Sequence, residues 1–324
     1  MPFLKLRSQF ASSWLADRGR LEDGRGGAET EILSAGVPFA EGQSSVARAR
    51  SGLLATCSNP NCRTGWLHLW RRRSTPIFEG GWTCSAACTR TNVLAAVRRE
   101  MEGRARVPEL HRHRIPLGLT MLELGWINPE QLRGALIAQK NAGGGHLGQW
   151  LVRQQGVNEK LIARALGLQW SCPVLPVEFH YPEALAPLLP RLFVDAYGAL
   201  PLRVAAGKVL YVGFEDTLDP ILTFSIGRIT GIRVESGIVQ ASLFGPAHAR
   251  MLRARFPRAT LIEAASEAAT VHSFARTLEK ARPVAARLVR IHDFLWLRMT
   301  LRFRREVFPS VDSVEDVICS IGTF

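Results

Sequence analysis

No stretch of this sequence reaches about 18 uncharged apolar residues, the shortest run that normally crosses a bilayer as a helix. The first twenty residues are interrupted by charged side chains and contain no apolar core of the kind that a secretory signal needs. These two absences predict a chain without a membrane span, and we expect it to reside in the cytoplasm.

Sequence strings that mark common catalytic sites are also absent. The phosphate-binding loop G-x(4)-G-K-[ST] does not occur, so we expect no hydrolysis of nucleoside triphosphates. Neither the G-x-S-x-G string of serine hydrolases nor the H-E-x-x-H string of zinc proteases is present. The sequence therefore predicts a protein that is not an enzyme.

Acidic residues are scarce, since 28 aspartates and glutamates accompany 41 lysines and arginines and leave a net charge of +13. The excess is uneven: eleven arginines and four glutamates occur between Arg63 and Arg114. Such a charge favours anionic partners such as nucleic acid, nucleotides or acidic protein surfaces. Arginine-rich faces are also common as plain solvated surface, so the charge alone selects no partner.

The chain has 324 residues and an ordinary composition, which is enough for two or three compact domains. Its patterns predict an α+β protein in five segments. Residues 1–50 are rich in small and charged residues and are predicted to be disordered. Residues 51–103 form a four-cysteine zinc finger, 112–172 a tandem helical repeat, 173–256 an α/β module, and 257–324 a C-terminal helix and β-hairpin extension.

Four of the six cysteines form two closely spaced pairs, Cys57-x(4)-Cys62 and Cys84-x(3)-Cys88, with 21 residues between the pairs. Zinc prefers four soft ligands in a tetrahedron, and two short loops joined by a hairpin can supply them. The second pair leads into a helical stretch, whose N-terminal dipole favours thiolates. The layout resembles a treble-clef finger and predicts one structural zinc ion. Four core cysteines without metal, or His68 in place of one ligand, are the alternatives.

Within this segment, Trp70, Arg71, Arg72 and Arg73 place an aromatic ring beside three cations that could bind phosphates. These residues are the candidate contact to nucleic acid. They define the alternative function, a zinc-finger nucleic-acid-binding regulator, whose affinity would depend steeply on salt.

An internal repeat of thirty residues follows the cysteine segment. Aligning Leu117 with Leu147 superposes Leu-Gly on Leu-Gly, Ala-Leu on Ala-Leu and glutamine on glutamine, with seven matches at one offset. Apolar residues fall three and four apart, which predicts two amphipathic helices in each copy. Asn128 and Asn158 have the pattern of helix N-caps. The four short helices are expected to pack as a small bundle.

After residue 173 the pattern changes to alternating strands and helices. Strands are predicted at 199–204, 208–212 and 232–235, and helices at 182–189, 219–230 and 240–253. Further on, apolar residues between 295 and 303 alternate with Trp296, Arg298, Thr300 and Arg302. This alternation predicts a strand with a charged outer face that pairs with residues 287–291, after a helix at 271–281.

The repeated string L-G-x-x-[LM]-x(3)-G-x(6)-L-x-x-A-L-x-x-Q resembles the N-terminal, MshEN-type domain of type II secretion and type IV pilus assembly ATPases. The resemblance covers roughly residues 112–256, and the ATPase domain that usually follows has no counterpart in this sequence. It implies a non-enzymatic regulatory or docking protein whose partners belong to the secretion or pilus machinery.

In some members of that family the tandem motif binds cyclic di-GMP through apolar residues and backbone of both copies. The resemblance implies the following positions: Leu117, Gly118, Met121, Gly125, Leu132, Leu136 and Gln139, then Leu147, Gly148, Leu151, Ile162, Leu166 and Gln169. The arginine before Leu-Gly is replaced by Pro116 and His146, and the second glycine by Gln155. Neither replacement supplies a guanidinium, so binding is expected to be weak. The alternative is that Leu-Gly and Ala-Leu only let short helices pack closely.

Overall fold

We analysed a computed structural model, which describes residues 57–62, 76–102, 114–178, 180–302 and 309–321. All of these residues belong to one compact unit, Val46–Phe324. The segment 1–50, predicted to be disordered, lies outside the described residues. The described part mixes helices and sheets, which confirms the predicted α+β class. Among its helices, none is long and apolar enough to cross a membrane.

The cysteine segment folds as a small hairpin followed by a helix. Strands β1 (Ile77–Phe78) and β2 (Gly81–Trp82) are antiparallel, and helix α1 (Ala86–Glu102) comes next. Both residues of the connecting turn have positive φ, 50° at Glu79 and 77° at Gly80. Two-residue turns of this handedness match the natural twist of a hairpin, which is why the turn can be so short.

The repeat folds into four short helices, α2 (Leu117–Glu123), α3 (Pro129–Asn141), α4 (Leu147–Gln155) and α5 (Glu159–Trp170). Asn128 caps α3 as predicted, accepting a hydrogen bond from the Gln131 amide at 2.8 Å while the Gln131 side chain accepts one from the Asn128 amide. The Asn158 side chain caps α5 by accepting a hydrogen bond from the Lys160 amide. The helices enclose a core of their own, formed by Met121, Ile127, Ala135, Leu151, Val157, Ile162 and Ala165.

The α/β module contains a three-stranded sheet in which β4 lies between an antiparallel β3 and a parallel β5. Its elements are α6 (Pro182–Leu185), α7 (Arg191–Tyr197), β3 (Leu200–Ala205), β4 (Val209–Phe214), α8 (Pro220–Thr230), β5 (Arg233–Ile238) and α9 (Ala241–Arg253). Asp219 caps α8 through the Leu222 amide, and Gly231 ends that helix at a φ of 73°. Both roles follow from the sequence pattern.

The C-terminal segment forms a four-stranded sheet of order β6-β9-β8-β7 with helix α10 against it. Its elements are β6 (Arg258–Ala264), α10 (Glu267–Ala281), β7 (Ala285–Ile291), β8 (Phe294–Thr300) and β9 (Val314–Ile321). The predicted helix and the β7–β8 hairpin are present. The prediction of only a helix and a hairpin for this segment left out two strands, β6 and β9. Strand β9 pairs with β8 in antiparallel fashion and with β6 in parallel.

The predicted charged outer face of β8 is wrong, because both faces of this strand are buried. Trp296 is fully buried in the core of the α/β module, and Arg298 is only 7% exposed. The Arg298 guanidinium donates to both carboxylate oxygens of Asp316, at 2.8 and 2.9 Å, and to the Leu188 carbonyl oxygen at 2.6 Å. A buried arginine is tolerated here because its charge and its donors are matched.

Besides the core of the repeat bundle, the described residues form two larger hydrophobic cores, and each contains residues from two of the segments predicted from the sequence. One contains the module together with Val289, Ile291, Trp296 and Ile318 of the C-terminal sheet. The other contains Phe78 and the buried face of α1 together with α10 and the opposite face of that sheet. The C-terminal sheet therefore lies between the module and the cysteine segment, sharing a core with each.

Candidate functional site

The four predicted cysteines come together at one end of α1. Their sulfur atoms all lie within 4.8 Å of one another, and none is in a disulfide. The Cys62–Cys84 and Cys84–Cys88 sulfur distances are 3.5 and 3.6 Å. A tetrahedral zinc ion with Zn–S bonds of about 2.3 Å requires sulfur–sulfur edges of about 3.8 Å. The donor set and its spacing therefore fit a four-coordinate metal such as zinc.

Local backbone geometry holds this cluster in place. Cys84 lies two residues after the end of β2, and Cys88 lies in the first turn of α1. The loop with the other pair is fixed by the Ser58 amide, which donates to the Trp82 carbonyl oxygen at 2.8 Å, and by the Cys62 amide, which donates to the Asn59 carbonyl oxygen. The hairpin thus brings the two pairs together.

Asn59 is a supporting residue that sequence reasoning missed. Its side-chain amide is buried and donates to the Cys88 sulfur at 3.3 Å, while its carbonyl oxygen accepts from the Asn61 backbone amide at 3.0 Å. Donors to sulfur stabilise a thiolate, and such outer contacts orient metal ligands. In the sequence, the only indication of this role was the position of the asparagine, two residues after Cys57.

Burial raises the pKa of the Cys57 thiol to about 12, with the backbone amides of Asn59 and Cys84 opposing this rise and the neighbouring thiols of Cys84 and Cys88 adding to it. The protein alone therefore favours a neutral thiol at neutral pH. A bound divalent cation reverses the balance, because a coordinating thiol is deprotonated outright. The Cys57 thiol would therefore ionise at neutral pH only when a cation is bound to the cluster.

The two copies of the repeat are related by an approximate two-fold arrangement. A Cβ atom on Gly118 would lie 2.6 Å from the Leu132 side chain, and one on Gly148 would lie 2.7 Å from the Ile162 side chain. At both positions a larger residue would force a neighbouring side chain to move, because each Leu-Gly packs against the apolar residue fourteen positions further on. The repeated glycine thus has a packing role in both copies.

The repeated glutamines obey the same symmetry. The Gln139 amide donates to the Gly145 carbonyl oxygen at 2.6 Å, and the Gln169 amide donates to the Ile115 carbonyl oxygen at 2.8 Å. Each acceptor lies two residues before the Leu-Gly of the other copy. We call the surface around these two Leu-Gly turns, residues 115–118 and 145–148, the repeat cradle.

The predicted nucleotide positions fall into three classes of exposure. The buried ones are Gly118, Met121, Gly148, Leu151 and Ile162. The half-buried ones are Leu117, Leu132, Gln139, Leu147, Leu166 and Gln169, and the exposed ones are Gly125 and Leu136. Met121 and Leu151 are 0% exposed and belong to the bundle core. The half-buried and exposed positions are the ones that a ligand can reach in this structure.

The positions that hold arginine in the nucleotide binders have internal roles here. Pro116 is the N-cap of α2, and the His146 ring lies 3.0 Å from the Asp216 carboxylate. The nearby Arg114 guanidinium stacks over the Trp170 ring at 3.0 Å. Gln155, in place of the second glycine, packs over Gly134. None of these departures offers a free guanidinium to a ligand.

The candidate nucleic-acid contact, Trp70 to Arg73, lies outside the described residues, as does His68. The interpretation of these residues therefore stays a prediction.

Between Leu117 and Arg253, the chain forms a helical bundle from the tandem Leu-Gly repeat and then an α/β module. No protein-family model and no curated protein matches the sequence. The chain is similar to a solved structure of MshE with cdg at 26% identity and a TM-score of 0.35, over 43% of this chain and 99% of that one. It is also similar to the N-terminal domain of XpsE in two crystal forms, at 17% and 18% identity, with TM-scores of 0.30 and 0.24. Each covers 41% of this chain, and at these TM-scores the likeness is partial.

Proposed function

We propose that this protein is a non-enzymatic docking and regulatory protein related to the N-terminal domains of secretion and pilus ATPases, and that its repeat bundle carries the docking surface. The supporting observation is where apolar surface is exposed. Six of the eleven exposed large hydrophobic side chains in the described part of the chain lie in the bundle segment. They are Ile115, Leu119, Leu124, Leu136, Ile137 and Leu168. Concentrated apolar exposure of this kind marks interaction surfaces.

The outer face of α3 shows what kind of partner fits. Leu136 and Ile137 are 46% and 53% exposed, and the exposed cations Arg133 and Lys140 lie about one turn before and after them. An apolar pair between two cations matches a partner surface with an apolar centre and acidic flanks. We infer such a partner among the proteins of a type II secretion or pilus assembly machine.

The repeat cradle is a second candidate binding surface, for a cyclic dinucleotide. A ligand with two equivalent halves suits a surface in which Leu117 and Leu147 occupy equivalent places. The apolar part of the cradle is present, and the guanidinium groups are not, since Pro116 and His146 stand before the two Leu-Gly turns. Cyclic di-GMP would therefore bind weakly through apolar contacts.

The cysteine cluster would hold one structural zinc ion through Cys57, Cys62, Cys84 and Cys88. Four protein ligands leave no coordination position for water or substrate, as in structural rather than catalytic zinc sites. This closed ligand set supports a structural rather than a catalytic role for the metal. Because the sequence lacks the phosphate-binding loop, we also expect no turnover of ATP or GTP that follows the protein through purification.

The docking proposal is tested by measuring binding of the purified protein to the soluble segments of secretion and pilus assembly proteins encoded in the same genome. We expect one of them to bind, and the double change Leu136→Asp and Ile137→Asp to abolish that binding. Leu261→Asp is the matched control, since Leu261 is 64% exposed on β6, outside the bundle. Absence of binding to every such segment, or equal loss in the control, would overturn the proposal.

A further inference from the structure

Strand β7 is an edge strand of the C-terminal sheet, yet its outer edge is covered by the cysteine segment. The Ile77 amide donates to the Pro283 carbonyl oxygen at 2.9 Å, and the Glu79 amide donates to the Ala286 carbonyl oxygen at 2.8 Å. Strand β1 thus runs along the start of β7 and takes the place of a neighbouring strand.

Side chains continue this cover where β1 ends. The Leu288 amide donates to the Glu79 carboxylate at 2.8 Å, and the Arg290 amide donates to the Glu100 carboxylate at 3.1 Å. The Arg290 carbonyl oxygen accepts from the Ser225 hydroxyl at 2.7 Å. Two carboxylates of the cysteine segment therefore satisfy backbone amides that an edge strand would otherwise present to solvent or to another chain.

Glu100 anchors this arrangement. Its side chain is 4% exposed and accepts hydrogen bonds from both terminal guanidinium nitrogens of Arg228, at 2.8 and 2.7 Å, and from Arg99 at 2.9 Å. Burial raises the pKa of this carboxyl, and the hydrogen bonds and charges of Arg228 and Arg99 outweigh burial, so its pKa lies below the ordinary value. Helix α1 is thereby tied to both β7 and α8.

Two of the three basic side chains of α1, those of Arg98 and Arg99, form ion pairs within the molecule, while the third, Arg90, is exposed. Arg98 pairs with Glu267 at the start of α10, and Arg99 pairs with Glu79 and Glu100. The opposite face of the helix is buried, with Val93, Ala96 and Val97 at most 3% exposed in the core shared with α10 and the sheet. In a finger helix that reads nucleic acid, cations in the positions of Arg98 and Arg99 would instead contact phosphates.

We propose that the four-cysteine metal site is an intramolecular clamp, which folds the hairpin and α1 so that they close the β7 edge. Two strands of two residues each cannot persist alone in water, so the hairpin depends on the metal and on docking. Loss of the metal frees Glu79 and its hairpin from β7. The uncovered edge then becomes a template for pairing with another copy of the chain.

The test is amide hydrogen exchange of the full chain, resolved by residue, with zinc bound and after removal of zinc by a chelator under reducing conditions. We expect exchange of the Leu288 amide, whose acceptor Glu79 lies in the released hairpin, to rise about tenfold or more. Amides within α3 and within β9 are the internal controls and stay protected, since α3 has a separate core and β9 lies inside the sheet. Sedimentation should show self-association of the metal-free protein at the same concentrations.

Two variants separate the clamp from a general loss of stability. Glu79→Ala keeps all four cysteines and the metal but removes the side-chain acceptor, so it should deprotect the Leu288 amide while the α3 amides are unchanged. Cys84→Ser should reproduce the effect of the chelator, and if this variant does not fold, chelation of the wild-type protein decides. Unchanged protection of the Leu288 amide after zinc removal would overturn the proposal. An equal loss of protection in α3 would overturn it too.

Discussion

Glu100 and Arg228 form a bidentate ion pair, with both terminal guanidinium nitrogens within 2.8 Å of the carboxylate oxygens, although 128 residues separate them in the sequence. The pair joins the helix that carries Cys88 to helix α8 of the α/β module. Since the carboxylate is almost fully buried, its charge depends on these partners. Removing one partner should therefore cost more than a surface ion pair contributes.

We expect Arg228→Ala to lower the free energy of unfolding by about 3–5 kcal/mol, because it leaves the Glu100 charge buried with only Arg99 beside it. The control is Arg233→Ala, which removes an exposed pair with Glu235 and should cost less than about 1 kcal/mol. Urea unfolding followed by tryptophan fluorescence measures both. Similar losses in the two variants would contradict the prediction.

Stability should also depend on pH through Glu100. Its pKa in the folded protein is lowered, so the unfolded chain binds the proton more tightly. The stabilisation is present above the unfolded-state pKa, about 4.3, and is lost as the pH falls through the lower folded-state value. Glu100→Gln should therefore weaken the dependence of unfolding free energy on pH below about 5. Identical pH profiles for the variant and the wild type would refute this assignment.

The purified protein should hold one zinc ion per chain under reducing conditions, bound by the four clustered cysteines. Metal analysis of the wild type and of Cys84→Ser tests this, and much less than one zinc in the wild type would contradict it. Asn59→Ala should weaken zinc affinity about 10- to 100-fold, because it removes the donor to the Cys88 sulfur. Asn141→Ala, on an exposed residue at the end of α3, is the control.

Cyclic di-GMP should bind with a dissociation constant well above the micromolar level of a sensor. Each lost charge-assisted hydrogen bond costs about 1.5–3 kcal/mol, or about one to two decades in affinity. Pro116→Arg combined with His146→Arg should therefore tighten binding in calorimetry. Tight stoichiometric binding by the wild type would refute the prediction, and its loss in Arg114→Ala would show that Arg114 supplies the missing guanidinium.

The parts of this fold that the sequence predicted are those decided locally. The asparagine caps of α3 and α5 and the β7–β8 hairpin depend on residues a few positions apart, so their signals lie within one window. The closeness of the four cysteines followed from spacing together with the preference of zinc for a tetrahedron. The coordination preference of a metal can therefore predict which side chains come together even when the packing of the chain is unknown.

The parts that were missed depend on contacts between distant segments. Glu79 and Leu288 are 209 residues apart, and no periodicity in either segment indicates that they meet. The alternation in β8 assigned Arg298 to an outer face, because alternation reports a charged residue but not the carboxylate of Asp316 that allows its burial. Sequence patterns show which residues are polar, and only the tertiary fold shows where their partners lie.

In the repeat bundle, the helices of each copy pack mainly on helices of the other copy, which limits how the bundle could evolve by loss or gain of a copy. Helix α3 of the first copy packs mainly on α4 of the second, and α2 of the first packs on α5 of the second. Each copy completes the other, much as two identical subunits would in a symmetric dimer. Deleting one copy would strip the partners from both helices of the survivor, so a single copy on its own would have to recruit its twin from a second chain.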